Sequence, residues 1–386
     1  MAWERKMMRT IRVRNEQKVG TLARLLAAVS SMGASVGSIE MLNETAQSVL
    51  RDITVYADDT EHMDKVIEAM RDNEGTRVLE IRDEVLALHQ KGKIAIRSRF
   101  PIDSIATLRR VYTPGVAEVC LKIADDPELA RLYTSISHMV AIVTDGSAVL
   151  GLGDIGAVAS MPVMEGKAML METLVGLSGM PILLNTKDTD EIVRTVSAIA
   201  PTFAAIQLED ISAPRCFEVE ERLQAMLDIP VMHDDQHGTA VVSIAALTVG
   251  ANRTGVDIHE AVIGQIGLGA AGNAIGKMIM RLTGNPVLGV DMSEDAVERF
   301  GRVGGKKSSL REIMSECDIV IATTGVPNLI KPEMVRKGQL IFALSNPNAE
   351  IDPEVALSHG AAFAADGKSV NNVLGFPGIF RGAVDA

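Results

Sequence analysis

Two acidic doublets, Glu209-Asp210 and Asp234-Asp235, each follow a short apolar run, Phe203 to Leu208 and Ile229 to Met232. Short apolar runs bounded by polar residues read as buried parallel strands. In open α/β sheets the ligand crevice lies at the carboxyl ends of such strands. Four carboxylates converging there would repel one another and raise some of their pKa values unless a cation held them. An all-oxygen donor set suits Mg²⁺ or Mn²⁺ better than zinc. The alternative is that each doublet merely opens a helix, capping it or placing acids in its first turn. His233 and His237 flank the second doublet. With no third nitrogen or sulfur ligand nearby they are expected to hydrogen-bond within the turn rather than hold zinc.

A second constellation is Gly267-Leu268-Gly269-Ala270-Ala271-Gly272, which follows the apolar run Val262 to Ile266 and opens a helical pattern. Glycines there let the backbone approach a pyrophosphate at a helix N-terminus. Asp291 lies 19 residues past Gly272, at the end of PVLGVD. That is close to the interval at which an acid meets the adenine ribose hydroxyls, which favours NAD over NADP. Two further apolar runs end in Ala322-Thr323-Thr324-Gly325 and Ser345-Asn346-Pro347. Their ends, with Thr323, Gly325 and Asn346, should face the nicotinamide half.

Such an enzyme also needs an acid and a base. Tyr112 heads the turn YTPGVA, and Lys167 follows PVMEG at the start of the apolar stretch AMLMETLVGL. A lysine at a helix start and near a divalent cation has its charged form disfavoured, so its pKa should fall toward that of a general base. Taken singly, Lys167 reads as a snorkelling surface residue and Tyr112 as a half-buried packing residue.

These groups need elements to position them. The chain has 386 residues, enough for two or three domains. Its 47% hydrophobic and 23% charged content is that of a well-cored protein. The net charge of −12 excludes a nucleic-acid binder. Cys120, Cys216 and Cys317 have no CxxC spacing and fit a reducing compartment. With no apolar signal segment and no run of 18 apolar residues, no membrane contact and a cytoplasmic location are expected. Residues 7–83 read β-α-β-β-α-β, the ferredoxin-like order. Glu84 to Phe100 reads as a polar connector, and from about Ser98 to Val249 strands and helices alternate as in a parallel sheet. A second α/β unit starts near Asp257. The predicted divisions are 1–86, 87–250 and 251–386: an α/β chain with a ferredoxin-like domain, a parallel substrate domain and a Rossmann NAD domain.

The N-terminal pattern resembles an ACT-type regulatory domain, whose family binds amino acids or similar small effectors near the turn before the first helix. Here that turn is Lys18-Val19-Gly20-Thr21, with Val19 where the family has proline. YTPGVAEVC, TDGSAVLGLGDIG, PVMEGKAML, LEDISAP, HDDQHGTA, GLGAAG, ALSNP and NNVLGFPGIFRG, in this order, resemble the short bacterial form of malic enzyme. The resemblance implies that Lys167 is the general base and Tyr112 the general acid. It implies Glu209, Asp210 and Asp235 as ligands of Mg²⁺ or Mn²⁺, with Asp234 tuning the lysine. Asn346 and Asn371 would hold L-malate, and Asn372 is a neighbouring candidate. The implied reaction is NAD(P)-linked decarboxylation of malate to pyruvate in a homodimer or larger oligomer, with the tyrosine in some short forms contributed across the dimer interface.

Two departures stand out. Larger members carry an arginine that grips a malate carboxylate in the segment matched by Ser147-Ala148-Val149, where this chain has Ala148. Members usually run several dozen residues past FPGIFRG, whereas Ala386 is five residues after Arg381, so a shortened C-terminus is expected. The competing functions are a malolactic enzyme, which retains NADH and releases lactate, and a catalytically impaired effector-binding protein.

Overall fold

The computed structural model describes residues 7–149 and 151–386. The chain divides into a unit ending at Ala95 and a unit beginning at Ile96. The first unit runs β1 (Met7–Glu16), α1 (Thr21–Ser31), β2 (Ser35–Glu44), β3 (Ser48–Ala57), α2 (Thr60–Arg71), β4 (Thr76–Arg82) and α3 (Glu84–His89). Its strands pair antiparallel in the order β2-β3-β1-β4. Alternation turns Ile11 and Val13 of β1 and Ile53 and Val55 of β3 to one face, where Leu25, Val29, Met63 and Met70 of the helices cover them. On β1, β3 and β4, Arg12 and Arg82 hold the buried Asp52 carboxylate at 2.8 and 2.5 Å. The expected connector from Glu84 instead begins as α3, because Asp83 accepts the Leu86 N–H and caps a helix there.

The second unit corrects another expectation. Alternation from Ser98 begins only at Met139, after α4 (Ile105–Val111), α5 (Gly115–Asp125) and α6 (Leu129–Tyr133), none of which has a buried residue. Then follow β5 (Met139–Thr144), α7 (Ala157–Val175), β6 (Ser178–Leu183), α8 (Thr189–Ile199), β7 (Ala205–Leu208), α9 (Arg215–Met226), β8 (Val231–His233) and α10 (Asp234–Thr254). Strands β6-β5-β7-β8 form a parallel sheet in that order. Pro181 lies in β6, an edge strand where a missing N–H is tolerated. Both runs before the doublets become strands shorter than the runs themselves, and β8 ends at His233 rather than Met232.

The chain continues with β9 (Ile263–Ile266), α11 (Ala270–Thr283), β10 (Leu288–Val290), α12 (Glu294–Arg302), β11 (Lys306–Lys307), α13 (Leu310–Glu316), β12 (Ile319–Ala322), β13 (Leu340–Ala343), α14 (Pro353–Ser358), β14 (Phe363–Asp366) and α15 (Phe376–Asp385). These strands make a six-stranded parallel sheet, β11-β10-β9-β12-β13-β14. Long α10 packs against α11, so the two parallel sheets share a layer of helix. Strands β7, β9, β12 and β13 are buried throughout, as sheets covered on both faces require.

Candidate active site

Lys167 is the eleventh residue of α7, not its start as the sequence suggests. Pro162 lies inside the helix, which begins at Ala157, so the N-terminus of α7 does not act on the lysine. Its side chain is buried and its Nζ lies 2.5 Å from Asp234 Oδ2 and 2.9 Å from Glu209 Oε1. The Phe376 ring centroid lies 4.5 Å from the same nitrogen. Burial works against the ammonium, but Glu209, Asp234 and Asp235 outweigh it and hold the lysine above its ordinary range. The fall expected beside a divalent cation belongs to a metal-bound site; facing the three carboxylates alone, the amine keeps its proton.

Those carboxylates come from two strand ends. Glu209 and Asp210 follow β7, with no helix until Arg215, so they do not cap one. Asp234 and Asp235 do open α10, as the helix-start alternative required. Their side chains nevertheless point at the site: Asp234 bonds Lys167, and Asp235 Oδ2 accepts the Asp210 N–H at 2.9 Å. One oxygen from each of Glu209, Asp210 and Asp235 lies within 4.8 Å of the others. Burial first, then mutual repulsion, pushes Asp210 well up, and Glu209 and Asp235 also lie above the carboxylate range. Asp210 has φ 53, a left-handed conformation that costs about 1–2 kcal/mol yet is tolerated best by Gly, Asn and Asp. Its Oδ2 is buried without a hydrogen-bond partner among the described residues. Three converging carboxylates with an orphaned oxygen fit a divalent cation of the Mg²⁺ or Mn²⁺ kind. The cluster contains no nitrogen or sulfur, so zinc finds no support.

His237 lies within α10 and bonds Glu220 of α9 at 2.9 Å, rather than the group of its own turn that the sequence suggests. The His233 ring is buried with neither nitrogen hydrogen-bonded among the described residues. Burial lowers its pKa to about 4, so it is neutral. Glu220, which the sequence did not single out, is buried in α9 and also accepts the His233 N–H and Gln236 Nε2. It fixes the turn that carries the second doublet. Arg215 does the same for the first, its NH2 reaching Asp145 at 2.6 Å and Ser147 at 2.8 Å. Ala148 donates its N–H to the Asp210 carbonyl at 2.9 Å.

Asn372, rather than Asn371, reaches the lysine cluster, its Nδ2 donating to Asp234 Oδ2 at 2.8 Å. Asn371 caps the following turn through the Val373 N–H, and Asn346 Nδ2 donates to the Gly367 carbonyl at 2.9 Å. Tyr112 ends α4, is 66% exposed, and makes no side-chain hydrogen bond among the described residues. The structure does not bring it among the neighbours of Lys167 given above.

The glycine-rich turn lies between β9 and α11, with Ala270 and Ala271 in the first turn of the helix. Gly267 has φ 86, and a Cβ on Gly272 would lie 1.9 Å from the Gly267 carbonyl oxygen. Asp291 accepts the Leu268 N–H at 2.6 Å and the Ser293 N–H at 2.9 Å, so it braces the turn beside which a ribose would sit. Buried Gln265, also unflagged by the sequence, ties the Gly267 carbonyl to Thr323 Oγ1 beyond β12.

The family model for the N-terminal domain of malic enzyme matches residues 92–224. NAD-dependent malic enzyme 1 of Bacillus subtilis is 55% identical over 382 residues, covering 98% of this chain and 87% of the relative. The chain belongs to the malic enzyme family. A bifunctional malic/malolactic enzyme of Bacillus subtilis is 41% identical, with 80% of each chain covered. The crystal structure of an NAD-dependent malic enzyme from Thermotoga maritima superposes with a TM-score of 0.74 at 39% identity, covering 78% of this chain and 86% of that one. Among malic enzymes, then, both the NAD-linked kind and one with malolactic activity are similar to this chain.

Proposed function

We propose that this chain catalyses oxidative decarboxylation of L-malate to pyruvate and CO₂ with NAD⁺ as hydride acceptor, NADP⁺ being the lesser substrate. One observation carries the proposal: a buried lysine, held by Glu209 and Asp234, lies beside the three-oxygen cluster of Glu209, Asp210 and Asp235. The name of the Bacillus subtilis relative at 55% identity supports the substrate and cofactor.

Glu209, Asp210 and Asp235 would hold Mg²⁺ or Mn²⁺, and an ion bound there supplies Lewis-acid polarisation of the oxygen on C2. Lys167 takes the C2 hydroxyl proton as hydride leaves C2 for NAD⁺. That step needs the neutral amine; a cation held by Glu209, Asp210 and Asp235 would offset two of the three carboxylates that favour the ammonium, Glu209 and Asp235. Asp234, braced by Asn372, keeps the amine in place. Loss of CO₂ leaves an electron pair for C3, where Tyr112 delivers a proton and pyruvate forms. Asn346 and Asn371 orient malate. Lys368 lines the same cleft as Asn346 and has no ion pair among the described residues. It is our candidate for malate's second carboxylate in place of the arginine absent at Ala148. Gly267 to Gly272 and Asp291 receive the adenosine half, and Thr323, Gly325 and Asn346 the nicotinamide half.

Tyr112 is exposed at the end of α4, and Ile105 and Val111 of α4, Leu121 of α5 and Leu132 of α6 are exposed apolar residues of the same stretch of chain. So many exposed apolar side chains call for a partner, and we place α4 to α6 against a second copy of the chain, whose lysine the tyrosine then serves. The order β-α-β-β-α-β with sheet order β2-β3-β1-β4 supports a ferredoxin-like, ACT-like domain over 1–86. It is followed by a substrate domain over 87–250 and a Rossmann domain over 251–386. A small effector would bind near Gly20, which starts α1 at φ 86.

The test is malate with NAD⁺ and Mn²⁺: NADH and pyruvate should accumulate together. Lactate without NADH would instead make the chain a malolactic enzyme, as its bifunctional relative allows. A thermal-shift panel of amino acids should show at least one ligand whose effect is lost on altering the turn at Gly20. No shift would leave that domain without an effector.

A further inference from the structure

Between β13 and α14 the chain buries a carboxylate that neither doublet nor glycine loop accounts for. Glu350 is fully buried and has no cationic partner among the described residues. Its Oε1 accepts the Thr324 N–H at 2.6 Å, Thr324 Oγ1 at 2.8 Å and Ser345 Oγ at 2.5 Å. Its Oε2 accepts the Ser345 N–H at 3.3 Å. Ser345 Oγ in turn accepts the Gly325 N–H at 2.8 Å. One side chain thereby clamps the turn after β12 to the turn after β13.

A buried charge without a counter-ion is expensive, so hydrogen-bond donors must converge on it. Here they do, and all come from the two turns. A cleft of about 400 Å³ opens at the same place, lined by Pro327, Asn328, Ser345, Asn346 and Pro347 among others. By the crevice rule, the nicotinamide half of a dinucleotide lies at these strand ends.

We propose that Glu350 is the positioning residue for the nicotinamide half of the cofactor, setting the spacing of the two turns that receive it. This rests on the NAD reading above. Glu350→Gln keeps the shape but replaces one acceptor oxygen with an NH₂ that faces donors. The remaining oxygen must then hold the Thr324 and Ser345 donors without the second acceptor, so the clamp between the two turns loosens, while the glycine turn keeps its own bonds to Gln265 and Asp291.

The experiment titrates wild type and Glu350→Gln with NADH and with ADP-ribose, which lacks the nicotinamide ring, following both by calorimetry. NADH should bind about tenfold more weakly to the variant, a loss of the size expected for hydrogen bonds to a charged group. ADP-ribose should bind within about twofold of wild type. Equal weakening of both ligands, or of neither, overturns the proposal, since a merely structural carboxylate would not separate them. Should Glu350→Gln fail to fold, Ser345→Ala removes both the hydroxyl bond to Glu350 Oε1 and the link to Gly325, leaving the Ser345 and Thr324 N–H bonds, and should show the same split. Its absence there refutes the proposal equally. Wild type that binds neither ligand would defeat the cofactor reading itself.

Discussion

Gly238 lies on α10 one turn after Asp234, and a Cβ there would sit 1.8 Å from Asp234 Oδ1 and 2.9 Å from its Cγ. In Gly238→Ala the carboxylate must turn away, giving up its bonds to Lys167 at 2.5 Å and Asn372 at 2.8 Å. Glu209 remains 2.9 Å from the lysine, so the full ~3–5 kcal/mol of stranding a buried charge is not expected. Overpacking costs about 1–3 kcal/mol, and replacing glycine in a helix returns about 1 kcal/mol. Net destabilisation should be only about 0–2 kcal/mol. Catalysis should suffer far more, because a general base displaced by about 1 Å can cost about a hundredfold in rate. The assay is kcat for malate beside the melting temperature. Gly301→Ala in α12 serves as control, since a Cβ there meets nothing within 4 Å. A Gly238→Ala enzyme with wild-type kcat, or one whose loss merely tracks unfolding, would refute the argument.

Burial and repulsion raise Asp210 to about 9, and Glu209 and Asp235 are raised as well. Groups whose folded pKa exceeds the unfolded value contribute stability that is complete below about pH 4 and lost as pH rises through the folded pKa. The metal-free protein should therefore melt lower at pH 9 than at pH 6, with Mn²⁺ restoring more at pH 9; melts with and without chelator showing the opposite slope would contradict this. Mixing inactive Tyr112→Phe and Lys167→Ala homodimers under exchange should recover about a quarter of wild-type activity, because a two-fold dimer rebuilds one intact site per heterodimer. No recovery would place tyrosine and lysine in the same chain. Lys368→Gln should raise the KM for malate about tenfold and leave that for NAD⁺ unchanged; the reverse pattern would move Lys368 to the cofactor.

What the sequence disclosed was local. Each acidic doublet adjoins its strand, and the glycine turn with Asp291 falls within a single β-α-β unit. The partners of Lys167 lie 42 and 67 residues away, and Asn372 is 138 residues from Asp234. Such convergence is invisible to periodicity and entered only through the family resemblance. Lys167 was misplaced within its helix because the apolar stretch AMLMETLVGL begins just after it, whereas α7 starts at Ala157 and runs through Pro162 and Gly166. The sign of its shift depends on carboxylate distances that no pattern encodes. Glu220, Gln265 and Glu350 were missed because a lone polar residue in a helix, strand or turn looks the same whether buried or solvated. None of the apolar residues of α4–α6 is fully buried, although the alternation of strands and helices was expected to start before them.

The central claim is that Lys167 works beside a cation held by Glu209, Asp210 and Asp235. The most direct measurement follows NADH formation from malate while Mn²⁺ is titrated into chelator-stripped wild type and Asp210→Asn. Wild type should be silent until Mn²⁺ is added and then recover fully, while Asp210→Asn should need about a hundredfold more Mn²⁺ or stay inactive. Stripped wild type at full rate, or Asp210→Asn recovering at the same Mn²⁺ concentration, would contradict the account.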